Sequence, residues 1–491
     1  MSGEPHTEVT PLDLVVVGGG ITGLGVARLA ARNGLTVAVL ERGDLASGAS
    51  SSSSHMLHGG LRYLEHGRLR LVRESLRERD EVSRMAPELA HPTRFILPLY
   101  RGDRRPPWMV RTGLLLYDML AGPRGLSRRS SVRPREALAL EPDLEPTGLL
   151  GAALYSDVVM DDARLAIAVA RDAAAHGAAI HPWTEVIGAR PAGAHVEVMA
   201  RDGLSGGERR LITRAVVNAA GPWVDEVRRR LVCSLTPGTP DPAPLMRPSR
   251  GVHLVFPPLT RGHGVLLTAR SDGRVFFIIP FEGLSLVGTT EVEVASPPGP
   301  EDERADFEEI RYLRAELGRA LPQPARSPVR AVTSGIRPLL AAGEAVGEAS
   351  REHRVLADGP IVTVAGGKYT TFRVMARDTL ARLAGPLGRE GRPIHDALDP
   401  LPRPLGPGHP VERLAEFAVE QEFARRVEDV VRRRTGLWLT PDRGRVAAAE
   451  VAAVLARRLG WDEARRRVEL QRYHDAVADE ERLLRRAWED P

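Results

Sequence analysis

The stretch DLVVVGGGITGLGVARLAARNGLTVAVLER, residues 13 to 42, decides the fold. It opens with an unbroken apolar run, Leu14 to Val17, which predicts a buried strand, and residues 22 to 33 predict a helix. The turn between them carries three glycines in G-x-G-x-x-G spacing, namely Gly18, Gly20 and Gly23. Glycine at these positions permits a tight turn, a close approach to a pyrophosphate and a tight contact between helix and strand. We therefore expect a dinucleotide whose phosphates lie at the helix N-terminus.

The residues after this turn indicate which dinucleotide binds. A second strand, 36 to 40, ends at Glu41, 23 residues after Gly18, where a carboxylate can accept hydrogen bonds from ribose hydroxyls. An acid here favours an unphosphorylated ribose, and therefore FAD or NAD over NADP. The Gly/Ala/Ser-rich residues 45 to 54 are typical of a flexible linker. A linker would interrupt the domain directly after its second strand, so we interpret this stretch as a cofactor loop.

Two distant stretches favour FAD over NAD. RAVVNAAGPWVDEV (214 to 227) and GPIVTVAGGKYTTFRVMARDTLARLAG (359 to 385) both have the order strand, glycine turn, helix. A nucleotide domain assembled from the beginning, middle and end of a chain is unlike a simple NAD dehydrogenase, so FAD is the predicted cofactor. Besides the three glycines of the first turn, the predicted cofactor contacts are Glu41, Ser51, Ser52, His58, Gly59, Gly60, Val186, Gly221, Gly366, Gly367 and Thr370.

Eight motifs between residues 50 and 373 resemble a known family. They are SSSSSHMLHGGLRYLE (50 to 65), MAPELAHP (85 to 92), RPPWMVRTGLLLYD (105 to 118), YSDVVMDDARL (155 to 165), VNAAGPWV (217 to 224), VGTTEVE (287 to 293), SGIRPL (334 to 339) and AGGKYTTFR (365 to 373). Their order is similar to that of the FAD-dependent, respiratory glycerol-3-phosphate dehydrogenases. The resemblance implies oxidation of sn-glycerol 3-phosphate to dihydroxyacetone phosphate, with hydride transfer to flavin N5 and electrons passed to a membrane quinone.

This reaction needs cations for a phosphate, a base for the hydroxyl proton and a positive charge near the reacting oxygen. The candidates for phosphate binding are Arg62 and Tyr63, in the first of these motifs, and Arg351, in the polar loop GEASREHRV. The candidates for catalysis are Arg337, which could hold the C2 oxygen, His253, which could be the base, and Lys368. His253 alternates with apolar neighbours, so a core histidine is the competing interpretation.

Lys368 is the only lysine of the chain, which has 67 arginines. In an arginine-rich composition one lysine can remain by chance. The alternative is that this position needs a compact ammonium, which can stabilise negative charge on flavin and substrate and can lose its own charge more easily than arginine. We favour the second interpretation.

Composition limits the partners. A formal net charge of only +4, with 64 acidic residues among 68 basic ones, argues against a nucleic-acid partner. One cysteine, Cys233, fits a reducing cytosol, and the first residues lack the basic start of a signal peptide. Residues 104 to 120 mix arginines with large apolar residues and could form a surface anchor or a core helix. We expect a cytoplasmic protein, peripheral on the inner face of the cell membrane, that could form a homodimer.

The predicted architecture is an α/β fold with a split Rossmann-type FAD domain, similar to D-amino-acid oxidase. This domain comprises residues 12 to 80, 150 to 228 and 330 to 385, and a substrate cap with an antiparallel sheet comprises 81 to 149 and 229 to 329. A linker (386 to 410) and a shortened helical region (411 to 491) follow. Asp161 and Asp162 lack a third ligand at suitable spacing, so no metal site is predicted and we interpret them as the N-cap of a helix over 163 to 175.

Two features leave the function open. Position 55 is a histidine where the family usually has lysine, and the helical region after residue 386 is reduced. The competing functions are a glycerol-3-phosphate oxidase that forms peroxide and an amine or amino-acid oxidase of the same fold. An RNA-binding or tRNA-modifying flavoprotein would need arginines clustered with exposed aromatic residues, but aromatics make up only 4% of the chain.

Overall fold

The structure, a computed structural model, describes residues 11–65, 67–122, 126, 128–299, 301–341 and 352–489, and of Arg62 and Glu489 it describes the backbone only. In chain order the described strands are β1 Leu12–Val17, β2 Val37–Leu40, β3 Met56–Leu57, β4 Ala90–Tyr100, β5 Ser130–Val132, β6 Leu149–Met160, β7 Ala179–His181, β8 Thr184–Ala192, β9 His195–Asp202, β10 Glu208–Asn218, β11 Ser249–Phe256, β12 Gly264–Thr268, β13 Val275–Phe281, β14 Leu284–Gly288, β15 Val292–Glu293, β16 Ala331–Arg337, β17 His353–Asp358 and β18 Ile361–Gly366.

The α-helices in the same part of the chain are α1 Ile21–Arg32, α2 Leu69–Met85, α3 Pro107–Ala121, α4 Pro134–Leu140, α5 Asp162–Ala175, α6 Val224–Leu235, α7 Phe307–Ala320, α8 Phe372–Leu383, α9 Val411–Gln421, α10 Arg445–Leu459 and α11 Glu463–Glu489. None of them is long and apolar enough to cross a lipid bilayer.

The first sheet is the nucleotide-binding sheet expected from the opening stretch. Its central order is β17-β18-β10-β1-β2-β7, and β8 and β9 extend it beside β10. β1 pairs in parallel with β2 and with β10, and β10 pairs in parallel with β18. The four residues Leu14 to Val17 are fully buried because helices cover both faces of this sheet, which explains their unbroken apolar run.

Helices α1, α5 and α8 pack together on one face of the first sheet, and α6 lies with β8 and β9 on the other. Helix α5 begins one residue earlier than predicted, and the Asp161 side chain accepts a hydrogen bond from the Arg164 amide, which confirms it as the N-cap. Helix α8 begins at Phe372, after a short 3₁₀ turn at Tyr369–Thr371.

The second sheet is mainly antiparallel, with the order β15-β11-β14-β13-β12-β4-β6-β3 among the described strands. Helices α2 and α3 cover one face, and α4, α7 and the end of α11 cover the other. Three of its strands differ from the predicted boundaries. β3, β6 and β16 all belong to this sheet, although the predicted ranges 12 to 80, 150 to 228 and 330 to 385 grouped them with the nucleotide domain. The sheet to which each of them belongs depends on long-range pairing, such as that of β16 with β11.

The residues after the linker form a helical unit. Helices α9, α10 and α11 and a π-helical turn, Asp429–Arg434, enclose a core of small and branched apolar side chains. The fold as a whole is therefore the mixed α/β fold that the sequence predicts, with the helical unit packed against it.

Candidate functional site

A cavity of about 620 Å³ is lined by residues of both sheets. The carboxyl ends of β1, β2, β10 and β18 meet at its wall, which is where ligands bind in open α/β sheets. The predicted site residues on this wall are Gly18, Gly20, Glu41, Ser52, His58, Val186, Gly221, His253, Arg337, Gly366, Gly367, Lys368 and Thr370. Residues that are spread over about 350 positions of the sequence thus line one cavity.

The other predicted site residues that the structure describes do not line this cavity. They are Gly23, Gly59, Gly60, Tyr63 and Ser51, and Ser51 lines a neighbouring cavity of about 970 Å³. Ser51 was predicted as a cofactor contact from the serine run alone, which does not show the direction of each side chain. The Arg62 side chain and the whole of Arg351 lie outside the described residues.

The first turn has no room for side chains. A Cβ on Gly23 would lie 2.0 Å from the Gly18 carbonyl oxygen, and a Cβ on Gly18 would lie 2.5 Å from that of Ala219. Gly18 also has a φ of +111°. Strands β1 and β10 and helix α1 therefore converge so closely that their amide groups can face a ligand directly.

Glu41 ends β2 at the cavity wall. Its Oε2 accepts a hydrogen bond of 2.6 Å from the Gly19 amide, and its Oε1 accepts one of 2.8 Å from the Gly43 amide. Burial raises the pKa of Glu41, while the two amides act in the opposite direction. The carboxylate is thereby fixed beside the glycine turn, where the sequence predicts the ribose.

The serine-rich stretch is anchored at three points. Ser50 Oγ accepts a hydrogen bond of 2.9 Å from the Ile21 amide at the start of α1. Asp162 Oδ2 accepts bonds of 3.0 and 2.7 Å from the amide and hydroxyl of Ser53. Ser54 Oγ lies 3.1 Å from His253 Nε2 on the second sheet. The stretch is therefore a fixed part of the cavity wall, as its interpretation as a cofactor loop requires.

His55, the departure from the family pattern, lies behind this loop. It is buried, has a φ of +47°, and its ring packs 4.2 Å from that of Phe281. Its Nδ1 is 3.4 Å from Asp162 Oδ1, and it faces the neighbouring cavity that Ser51 also lines. The histidine at this position thus packs behind the loop instead of lining the cofactor cavity.

His253 and Arg337 lie at the end of the cavity formed by the second sheet. The Arg337 guanidinium covers Gly251, where a Cβ would lie 2.0 Å from Nη2. Its Nη2 donates to Thr289 Oγ1 at 2.7 Å and to the Thr290 carbonyl at 2.9 Å. Burial lowers the pKa of His253 well below its usual value, and the charge of Arg337 lowers it further. His253 is therefore neutral near pH 7, the state that a general base requires.

Lys368 approaches from the first sheet, directly after β18. Gly366 and Gly367 have φ values of +75° and +85°, so the chain turns sharply before the lysine. Lys368 Nζ lies 4.6 Å from the centre of the Tyr63 ring, in the geometry of a cation–π contact. One imidazole and two cations from different parts of the chain thus line the same cavity.

The wall fits FAD. The glycine turn and the N-terminus of α1 suit a pyrophosphate, and Glu41 suits a ribose. Gly221, with a φ of +58°, leaves open space at the end of β10. Lys368 and the N-terminus of α8, which follows it, carry positive charge and would suit the negative charge of a reduced flavin.

A buried ion cluster that the sequence does not reveal joins the helical unit to the cofactor loop. Asp44, three residues after Glu41, receives hydrogen bonds of 2.6 and 2.7 Å from Arg434 and one of 2.5 Å from Arg433. Arg433 also contacts Asp429 at 3.1 Å. The side chains of Asp44 and Arg434 are completely buried. Each partner looks like an ordinary surface charge in the sequence, so no local signal identifies the cluster.

Comparisons with known proteins identify the family of the chain. Residues 13–373 match the family described as FAD dependent oxidoreductase, and residues 375–466 match the C-terminal domain of alpha-glycerophosphate oxidase. The chain is 35% identical to a glycerol-3-phosphate dehydrogenase of Mycobacterium leprae, over 91% of this chain and 85% of that protein. It is 39% identical to a D-erythritol 1-phosphate dehydrogenase of Brucella abortus, over 81% of this chain and 78% of that protein.

The solved structure of a glycerol-3-phosphate dehydrogenase from Bacillus halodurans, complexed with FAD, has a similar fold. Its TM-score to this chain is 0.73 at 24% identity, and the alignment covers 97% of this chain and 95% of that one.

Proposed function

The chain belongs to the family of FAD-dependent oxidoreductases that contains the glycerol-3-phosphate dehydrogenases, and we propose that it oxidises sn-glycerol 3-phosphate to dihydroxyacetone phosphate. The observation that carries this proposal is the grouping of His253, Arg337 and Lys368 on the wall of the cofactor cavity. FAD, when bound, supplies the acceptor for the hydride, at flavin N5.

The side chains of the protein are proposed to supply the other functions: proton transfer, charge stabilisation and phosphate binding. Neutral His253 takes the proton of the C2 hydroxyl, and its bond to Ser54 orients the ring. Arg337, held by Thr289 and Thr290, keeps a fixed positive charge near the oxygen that loses this proton. Lys368 adds a second, more mobile charge from the opposite sheet. Arg62, Tyr63 and Arg351 are proposed to bind the phosphate group.

The second candidate substrate is D-erythritol 1-phosphate, because the relative from Brucella abortus is named as a dehydrogenase of that compound. Both compounds carry a secondary alcohol and a phosphate ester, so the same three side chains could serve either. Their difference in length would have to be sensed by the part of the cavity that binds the phosphate or the far hydroxyls.

Anaerobic mixing of the purified, FAD-loaded protein with candidate substrates tests the proposal. We expect the flavin absorbance to bleach with sn-glycerol 3-phosphate, and not with glycerol or glycine. Bleaching that is much faster with D-erythritol 1-phosphate would select the second substrate. Bleaching by glycine alone would instead indicate an amino-acid oxidase, and no bleaching by either phosphate would refute the proposed function.

We propose a membrane quinone as the electron acceptor. The alternative is molecular oxygen, because residues 375–466 match a domain named for an oxidase. Mixing the reduced enzyme with a water-soluble quinone or with oxygen distinguishes the two. Reoxidation at least tenfold faster by the quinone would support the proposal, and rapid formation of peroxide would refute it.

Contact with a lipid surface is proposed for the outer side of α3. Trp108, Leu115 and Met119 are 69%, 43% and 62% exposed, and their spacing places them on one side of the helix. Arg104 and Arg111 are exposed beside them and suit anionic headgroups. We expect Trp108→Ser to reduce binding to sedimented vesicles that contain phosphatidylglycerol. Val446→Ser, at an 80% exposed site in the helical unit, should not. Equal binding by both variants and the parent protein would refute the assignment of α3.

A further inference from the structure

Three of the motifs that resemble the family are joined by one chain of buried hydrogen bonds. The Gly59 amide, in the turn that begins at His58, donates a bond of 2.8 Å to the Tyr117 hydroxyl. Tyr117, on α3, donates one of 2.9 Å to Asp157 Oδ2 on β6. Arg79, on α2, donates one of 3.0 Å to Asp157 Oδ1. None of these contacts involves a group on the wall of the cofactor cavity.

The three side chains are buried among apolar residues, and Arg79 also pairs with Asp80 at 2.8 Å. Tyr117 and Asp157 are each 2% exposed and Arg79 is 1% exposed, and the surrounding cluster consists of residues such as Val72 and Leu76. Burying an ion pair in such a region costs more than packing apolar side chains of the same size. If these polar side chains only filled space, apolar side chains of the same size would be more favourable. The hydrogen-bond network ends at the Gly59 amide, so its role is to hold this amide in place.

The turn that begins at His58 leaves almost no space for side chains at its two glycines. A Cβ on Gly59 would lie 2.4 Å from Leu76 Cδ2 and 2.5 Å from the Tyr117 hydroxyl. The next residue, Gly60, has a φ of +79°, and a Cβ there would lie 2.1 Å from the Tyr63 ring. Tyr63 is therefore folded back against the turn, and its ring in turn contacts Lys368 Nζ at 4.6 Å. One closely packed turn thus connects the Gly59 amide with the contact between Tyr63 and Lys368.

We propose that Tyr117 is a positioning residue for the reaction, with Asp157 and Arg79 orienting its hydroxyl. Through the bond to Gly59 it keeps the turn at a fixed distance from Lys368. This turn carries His58, Arg62 and Tyr63. Tyr117 does not touch the substrate in this proposal. The catalytic part of the proposal rests on the proposed function, while its geometric part concerns the Gly59 amide alone.

The first test compares two conservative variants of the FAD-loaded enzyme. Tyr117→Phe removes the hydroxyl that holds Gly59. Tyr155→Phe is the matched control, because Tyr155 is a buried tyrosine of the same cluster, with its ring 6.4 Å from that of Tyr117, and it is not the partner of Gly59. We expect Tyr117→Phe to retain FAD and to raise the concentration of sn-glycerol 3-phosphate needed for half-maximal flavin bleaching at least tenfold. The control should change it less than twofold.

The second test needs no substrate. Hydrogen exchange measured by mass spectrometry on peptides covering residues 58 to 64 should be at least tenfold faster in Tyr117→Phe than in the parent, and unchanged in Tyr155→Phe. Unchanged exchange in Tyr117→Phe would overturn the geometric proposal. Faster exchange with unchanged substrate dependence would overturn the catalytic role. If the parent enzyme is not bleached by sn-glycerol 3-phosphate, the proposed function and the catalytic role fail together, and exchange still decides the role of Tyr117 in holding the turn.

Discussion

The buried pair between Asp44 and Arg434 should link the stability of the helical unit to the binding of FAD. We consider the substitution Arg434→Met, which keeps a long apolar side chain but removes the charge and its hydrogen bonds. Asp44 lies three residues after Glu41 and directly after Gly43, and both of these residues line the cofactor cavity. Loss of the pair should therefore affect both the attachment of the helical unit and the shape of the cavity wall at these residues.

The size of the effect follows from burial. Both side chains are completely buried, and Arg434 supplies two of the three arginine hydrogen bonds to Asp44. Removing one member of such a pair usually costs about 3–5 kcal/mol, because the remaining charge stays buried without its partner. Arg433 remains beside Asp44, so we expect the lower end, about 3 kcal/mol.

Urea unfolding, followed by circular dichroism, measures this loss. The matched control is Arg458→Met in the same helical unit. Arg458 pairs with Glu416 at 2.6 Å, but its side chain is 43% exposed, and an exposed pair contributes only about 0–1 kcal/mol. Flavin fluorescence after dilution measures the release of FAD, which should be faster in Arg434→Met than in the control.

The stability of Arg434→Met should also depend on pH. Burial and the nearby Asp44 raise the pKa of Asp429 to about 7, so the folded chain holds this proton more strongly than the unfolded chain. In Arg434→Met one arginine faces two carboxyl groups, so stability should recover as the pH is lowered from 8 to 6 and a carboxyl group takes up a proton. A loss no larger than that of the control, or a loss independent of pH, would refute the assignment of a stabilising role to the pair.

Three further predictions concern the cavity itself. Gly23→Ala should yield protein without FAD, because the added Cβ would lie 2.0 Å from the Gly18 oxygen, whereas Gly113→Ala on α3, where space is open, should keep its flavin spectrum. Lys368→Arg should keep FAD but slow bleaching by the substrate at least tenfold, and an unchanged rate would mean that this position does not need an amine. Because the folded pKa of His253 lies below the ordinary value of 6.5, the unfolded chain binds this proton first as the pH falls. The stability of the parent protein should therefore decline below about pH 6.5, and that of His253→Gln should decline by less. An equal decline in the two proteins would contradict the lowered pKa of His253.

The nucleotide domain was predictable because its signals are local. The strand, glycine turn and helix of residues 13 to 42 are determined by neighbours within a few positions, and the structure places each of them as expected. The same holds for Glu41, whose distance from the turn follows from the lengths of α1 and β2. The N-cap at Asp161 is likewise a property of three consecutive residues.

The tertiary structure alone decided which residues meet across the chain. Asp44 and Arg434 are 390 positions apart, and Asp162 meets Ser53 across 109. Tyr117 belongs to the motif RPPWMVRTGLLLYD, and nothing in that motif indicates that its hydroxyl accepts a bond from Gly59. The sheet to which β16 belongs, and the turning of Ser51 away from the cofactor cavity, were undetermined for the same reason. Backbone periodicity specifies helices and strands because their hydrogen bonds are regular, whereas a contact between distant side chains depends on the path of the whole chain between them.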